Sequence, residues 1–180
     1  MDDVLPRPVP DVRIAVTGLR ASGVIGAIGV AFLVGMFTAF AAGARSTGMA
    51  LGWINDVTGV ITLPLALPGM FALQARIRPQ AGRTGDALLV VAVGTIGASS
   101  LLQLMLVTGR ISFEDEIGPV SVALLLLAVW FVATGRAASK AGVLPNGTRL
   151  GILAASYVGY PIWAFRVAAA LETPPEVGTP

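Results

Sequence analysis

The sequence predicts an all-α, polytopic transmembrane helical bundle, and three observations carry that prediction. The 180-residue chain is 55% hydrophobic and 12% charged, with mean hydropathy +0.82, whereas a soluble domain carries roughly 25% charged residues. Five apolar stretches, at about 22–42, 52–73, 87–107, 117–134 and 151–171, reach or approach the roughly 20 residues that cross a hydrocarbon core. None alternates with the period of two that spanning strands require. Runs of this length in lipid must pair their backbone groups internally, which makes them helices.

The elements follow in order. The arm MDDVLPRPVPDV holds Pro6, Pro8 and Pro10, so residues 1–12 form no helix and extend as a disordered, polyproline-like arm. Residues 11–20 are expected as a short interfacial helix. The first span, 22–42, carries Gly23, Gly26, Gly29 and Gly35, small residues that let helices approach closely within the bundle or across a homodimer seam. It follows a basic region, as a signal peptide does, but exceeds the 7–15 apolar residues of a signal core, so it is retained. The second span opens with Trp53, Asn55 and Asp56 and contains Pro64 and Pro68 on one face. The third has Gln103 near its end. The fourth, IGPVSVALLLLAVWFVAT, is the most uniformly apolar. Asn146-Gly147-Thr148 is expected as a turn. The fifth carries Gly151, Ala155 and Gly159 at spacing four, then Pro161, which should kink it. The tail 172–180 is unstructured. With no internal repeat, residues 1–180 read as a single membrane domain.

Basic residues orient the spans. Along the arm, the four connections and the final segment, Arg and Lys number 3, 1, 3, 1, 3 and 1. Cytoplasmic connections carry the positive excess, so five spans place the N-terminus in the cytoplasm and the C-terminus outside. Eleven Arg against one Lys, with abundant Ala, Gly and Val, point to a GC-rich bacterial genome and hence to a bacterial cytoplasmic membrane.

Composition excludes much chemistry. Without Cys there is no disulfide, thiolate nucleophile or iron–sulfur ligand. Without His there is no Ser-His-Asp triad and no usual neutral-pH base. The single lysine, Lys140, falls in a polar connection. The pI near 9.7 comes from scattered arginines rather than a basic stripe, which sets nucleic acid aside. No phosphate loop, dinucleotide fingerprint or zinc motif is present, and no cofactor or resident metal is expected.

The polar residues that remain gather toward the outer side of the spans: Trp53, Asn55, Asp56, Gln103, Tyr157, Tyr160, Trp163 and Arg166, with the connection TGRISFEDEIG. A lone carboxylate at depth is costly, so Asp56 either pairs with Arg166 or snorkels to the headgroups or caps its helix. Arg166 can equally snorkel alone. Trp53 and Trp163 fit an aromatic belt. Trp130 reads as lipid-facing or core. Tyr157 and Tyr160, three apart, either line a pocket or pack with their hydroxyls bonded across helices. The FEDE segment is a solvated loop or an outer cation site. If the protein were catalytic, Asp56 or Glu114 would be the acid.

Two stretches carry a resemblance: LALPGMFALQARIRP (65–79) and GRAASKAGVLPNGTRLGILAASYVGYPIWAF (135–165). They resemble a group of uncharacterised small multi-pass membrane proteins of GC-rich bacteria, in which an AG-x-LP turn follows a basic patch and the last helix carries YP-x-W, here Tyr160, Pro161 and Trp163. The resemblance implies a helical bundle, often of six spans, from which this chain departs with five. It implies no activity.

The expected function is an accessory or binding role in the bilayer, non-enzymatic, with an outward-facing polar pocket for a lipophilic small molecule or a partner, as a possible homo-oligomer. Two alternatives stand beside it: a carboxylate-dependent cyclase or isomerase acting on a terpenoid or polyketide, and a small transporter. A transport route would need polar residues through the inner half as well.

Overall fold

The computed structural model describes residues 11–173, and within them every regular element is a helix. Helix α1 (Val12–Ala41) starts at Asp11, whose side chain accepts the backbone N–H of Arg13 at 2.8 Å. The residues expected as a separate interfacial helix are its first turns. The rest of the N-terminal arm and most of the predicted tail lie outside the described residues.

Helix α2 (Arg45–Val107) unites the second and third predicted spans in 63 residues. It is not straight. At Gly82 the backbone leaves the helical region, with φ 58° and ψ −160°, a conformation open to glycine alone. The chain there doubles back. Gln74 meets Asp86, Gly59 abuts Gln103, and Trp53 Nε1 donates to the Val107 carbonyl at 3.5 Å. Those matched pairs define two antiparallel arms, 45–81 and 83–107.

Helix α3 (Phe113–Lys140) begins with a capping box. The Ser112 hydroxyl accepts the Asp115 N–H, and the Asp115 carboxylate accepts the Ser112 N–H, each at 3.2 Å. Two of the donors orphaned at a helix start are thereby satisfied.

The fifth predicted span is not one helix. It divides into α4 (Gly147–Ala155) and α5 (Tyr160–Glu172), separated by residues 156–159. Pro161 sits in the first turn of α5, where its missing N–H costs nothing; it follows a break rather than kinking a continuous helix. Asn146, at φ 61°, forms the expected turn before α4.

The broken segment is a hairpin. Added side chains at Gly135 and Gly147 would each strike the other's carbonyl oxygen, at 2.3 and 2.5 Å, and one at Gly151 would strike the Phe131 carbonyl at 2.3 Å. Helix α4 thus lies backbone-close and antiparallel along α3. Helix α5 then returns. Arg76 donates to the carbonyls of Ala170, Leu171 and Thr173 at 2.7, 2.6 and 3.0 Å, and Arg20 pairs with Glu172 at 2.8 Å. One end of the bundle, here called basal, therefore holds the start of α1, the bend at Gly82, the end of α3 and both outer ends of the hairpin. The loops 42–44 and 108–112 form the distal end. The expectation that the last segment ends opposite the first is not met.

Three helices, α1, α2 and α3, are long and apolar enough to cross a membrane. Their outward faces carry residues such as Val90 and Leu125, 72% and 68% exposed, an apolar exterior suited to lipid rather than water. The glycines of α1 are spent inside the chain: Gly23 faces Ala164 and Phe165, Gly26 faces Tyr160, and Gly29 faces Thr58 and Tyr157.

Candidate functional site

The tip of the α4–α5 hairpin supplies the first residue. Tyr157 has φ 63°, the left-handed region that a bulky side chain rarely adopts, at a cost of order 1–3 kcal/mol. That conformation turns its ring toward α2. Its hydroxyl donates to Asn55 Oδ1 at 3.4 Å, and Asn55 Nδ2 donates to Asp56 Oδ1 at 3.4 Å. Asp56 is half-buried.

The second carboxylate comes from α3. The capping box fixes the phase of its first turn, so Glu114 and Asp115 face solvent. Glu116, on the residue before the apolar run 117–134, turns inward and is 5% exposed. Seven and eleven residues on, Ala123 and Leu127 continue the same buried face. Among the described residues its carboxyl has no hydrogen bond or ion pair. Burial pushes that carboxyl above the ordinary carboxylate range, and the negative charge of nearby Asp56 pushes it further. By contrast, the Ser112 hydroxyl and N–H hold Asp115 below that range.

From this acidic pair a ladder of hydroxyls descends toward the middle of the bundle. Thr58 donates to the Asn55 carbonyl at 2.7 Å, and Thr62 to the Thr58 carbonyl at 2.6 Å. Buried Ser22 hydrogen-bonds the Thr62 carbonyl and the Tyr160 hydroxyl. Below Tyr160 the way closes. Trp130, Phe131, Tyr160 and Trp163 stack and meet edge-on with ring centroids 4.8–6.0 Å apart, a favoured aromatic geometry. An apolar cleft of about 260 Å³ opens beside the tip, lined by Leu63, Leu124, Leu127, Phe131, Tyr157 and Tyr160.

The candidates from sequence therefore separate. Asn55, Asp56 and Tyr157 are joined by hydrogen bonds, and Tyr157 and Tyr160 line the same cleft. Gln103 lies against Gly59, where an added Cβ would be 2.5 Å from its amide nitrogen. Trp53 is 54% exposed at the distal rim, as a belt residue would be. Trp163 is not in a belt: it is 1% exposed, in the aromatic cluster with Trp130. Arg166 is exposed and makes no ion pair with Asp56; the ion pairs among the described residues are Arg20–Glu172 and Arg78–Asp86. Asp56 is two residues from Thr58, which faces Gly29 of α1, whereas Arg166 is two from Ala164, which faces Gly23. Because α5 returns to the basal end, the two are roughly 15 Å apart along the bundle at 1.5 Å per residue. Glu114, a catalytic candidate, is exposed; its neighbour Glu116 is the acid that faces inward. The buried face of α3, extended back two turns from Ala123, marks Glu116 in the sequence.

Chemically, two carboxylates without a cation favour a positively charged or proton-bearing group, and the ladder offers hydroxyls as donors and acceptors. Among the described residues no three His, Cys, Asp or Glu cluster to hold a metal ion. Comparison of the chain with protein-family models, with curated proteins and with solved structures finds no match.

Proposed function

We propose that the protein is an integral membrane binding protein whose distal recess takes a lipophilic ligand bearing a cationic head. Four crossings, made by α1, the two arms of α2, and α3, would surround a re-entrant α4–α5 hairpin whose tip stops near mid-depth. Broken helices are tolerated at membrane depth where protein covers them or a cavity adjoins them. The basal end would face the cytoplasm. Arg13, Arg20, Arg76, Arg78 and Arg83 lie in its half, as do Arg136, Lys140, Arg149 and Arg166, whereas Arg45 and Arg110 lie distally. That asymmetry is stronger than the alternation along the sequence and agrees with a positive interior.

One observation carries the binding reading: the buried Glu116 feels the charge of Asp56 and neither has a basic partner among the described residues, while Asp56 is linked through Asn55 to Tyr157, which lines the apolar cleft. A cation there would relieve their repulsion while its apolar body filled the cleft. The aromatic cluster beneath Tyr160 favours binding over passage, since polar lining stops at that level.

Equilibrium binding of tetraphenylphosphonium to the full chain in nanodiscs tests this. The double variant Asp56→Asn, Glu116→Gln should bind at least tenfold more weakly at neutral pH. Equal binding by variant and wild type would reject the recess as the site.

A further inference from the structure

A second pocket lies at the opposite, basal end, away from the recess. It encloses about 270 Å³ between the bend of α2 and the last turns of α3, and Gln74, Thr84, Leu88, Thr134, Arg136 and Lys140 line it. Its features do not fit simple packing. Gln74 is 4% exposed. Its Nε2 donates to Asp86 Oδ1 at 3.3 Å, and Arg78 holds the other oxygen of Asp86 at 3.2 Å. The chain Arg78–Asp86–Gln74 thereby fixes the amide, with Oε1 as the free end. That oxygen is buried and has no hydrogen-bond partner among the described residues. An orphaned buried acceptor costs about 1–3 kcal/mol unless a donor arrives. The space is shaped for the glutamine: an added Cβ at Gly85 would lie 2.8 Å from Gln74 Nε2.

Arg136 and Lys140, one turn apart on α3, stand at the rim, exposed and without an ion pair among the described residues. The pocket thus presents two cations at its mouth, a lining glutamine whose buried carbonyl oxygen is unsatisfied, and the apolar wall of Leu88 and Ala137 beside them. Cations call for an anion. A carbonyl acceptor calls for a hydroxyl or N–H donor, which a bare phosphate diester lacks. The apolar wall accommodates the root of an acyl chain. Basic pockets between helices at a cytoplasmic surface bind anionic headgroups on these grounds.

We propose that this pocket binds a hydroxyl-bearing phosphodiester, the headgroup chemistry of phosphatidylglycerol, with the phosphate on Arg136 and Lys140 and a glycerol hydroxyl donating to Gln74 Oε1. The assignment is independent of the cationic recess. Native mass spectrometry of the full chain, with added lipids of matched acyl chains, tests it. Phosphatidylglycerol should be retained at least tenfold more than phosphatidylcholine, and severalfold more than phosphatidylmethanol, which has the same charge but no hydroxyl. Arg136→Gln with Lys140→Gln should abolish retention of both anionic lipids. Gln74→Leu should erase the preference for phosphatidylglycerol over phosphatidylmethanol; if that variant does not fold, the comparison of the two lipids on the wild-type protein stands as the test of the hydroxyl contact. Displacement of bound phosphatidylglycerol by glycerophosphoglycerol would assign the site to the soluble form of the same chemistry, and failure to displace would assign it to the lipid. Retention of phosphatidylglycerol no better than phosphatidylcholine, or undiminished in the double charge variant, would overturn the proposal.

Discussion

Arg20 and Glu172, 152 positions apart, meet at 2.8 Å. This contact joins the third turn of α1 to the last turn of α5 and, with Arg76 on the carbonyls of Ala170, Leu171 and Thr173, returns the chain to the end where α1 starts. The pair itself is exposed and contributes at most about 1 kcal/mol. Its value here is positional.

The returning chain gives the first prediction. A reporter fused after residue 180 should show the cytoplasmic side, the same as one fused before residue 1. A fusion reporting the periplasm at one end and the cytoplasm at the other would require five crossings and would remove the hairpin. Charge reversal at Arg20 alone should leave the topology unchanged, because eight other basic residues share that half.

The close seam between α3 and α4 gives the second. Gly147→Val would place side-chain atoms against the Gly135 carbonyl, already 2.5 Å from an added Cβ. Overpacking of this kind costs roughly 1–3 kcal/mol, and it should appear as a lower Tm and faster protease cleavage near residues 156–159. Gly142→Ala, where nothing lies within 4 Å but φ is 69°, separates backbone strain from collision. It should cost about 1–2 kcal/mol without opening the hairpin to protease.

The start of α3 gives the third, because its two acids work in opposite directions. Glu116 has a raised folded value, so the unfolded chain releases that proton first as pH rises. Stability should fall between the ordinary Glu range and the raised one, and Glu116→Gln should remove that fall from a plot of Tm against pH. Asp115 is held low, so its contribution is present above the ordinary Asp range and lost as acid titrates it. Ser112→Ala, which deletes the cap, should cost about 1 kcal/mol near neutrality. It should also weaken the acid-side loss. A pH profile unchanged in both variants would contradict the placement of these carboxyls.

Much of the helical content was legible because hydropathy reports what a segment can bury, and the apolar runs at 22–42, 87–107 and 117–134 fall within α1, α2 and α3. It does not report whether a segment crosses. The run 151–171 is long enough to cross but carries Arg166, and Gly159 and Pro161 close a break that the tertiary contacts of Gly147 and Gly151 on α3 support. Read as one continuous helix, that run brings Arg166 towards Asp56; the break and the return of α5 to Arg20 carry it away. Asn55, Asp56 and Tyr157 were found because polar residues in apolar runs stand out. Ser22 and Thr62 did not, since small hydroxyls are common in membrane helices and bond their own backbone. Glu116 was obscured by its acidic neighbours, and helical phase rather than composition distinguishes it.

The interruption at 156–159 bears on biosynthesis. Within it Leu153 relies on the Ser156 hydroxyl at 2.6 Å, and the strained Tyr157 finds its hydroxyl acceptor on α2. The amides of 156–160 are bonded within the segment, but the Tyr157 hydroxyl and the close glycine seam find their partners only on α2 and α3. In the proposed arrangement, entry of the carboxy-terminal pair into the bilayer must therefore wait until the preceding helices have assembled to receive it, so the final step of maturation is a docking event rather than the insertion of another independent span.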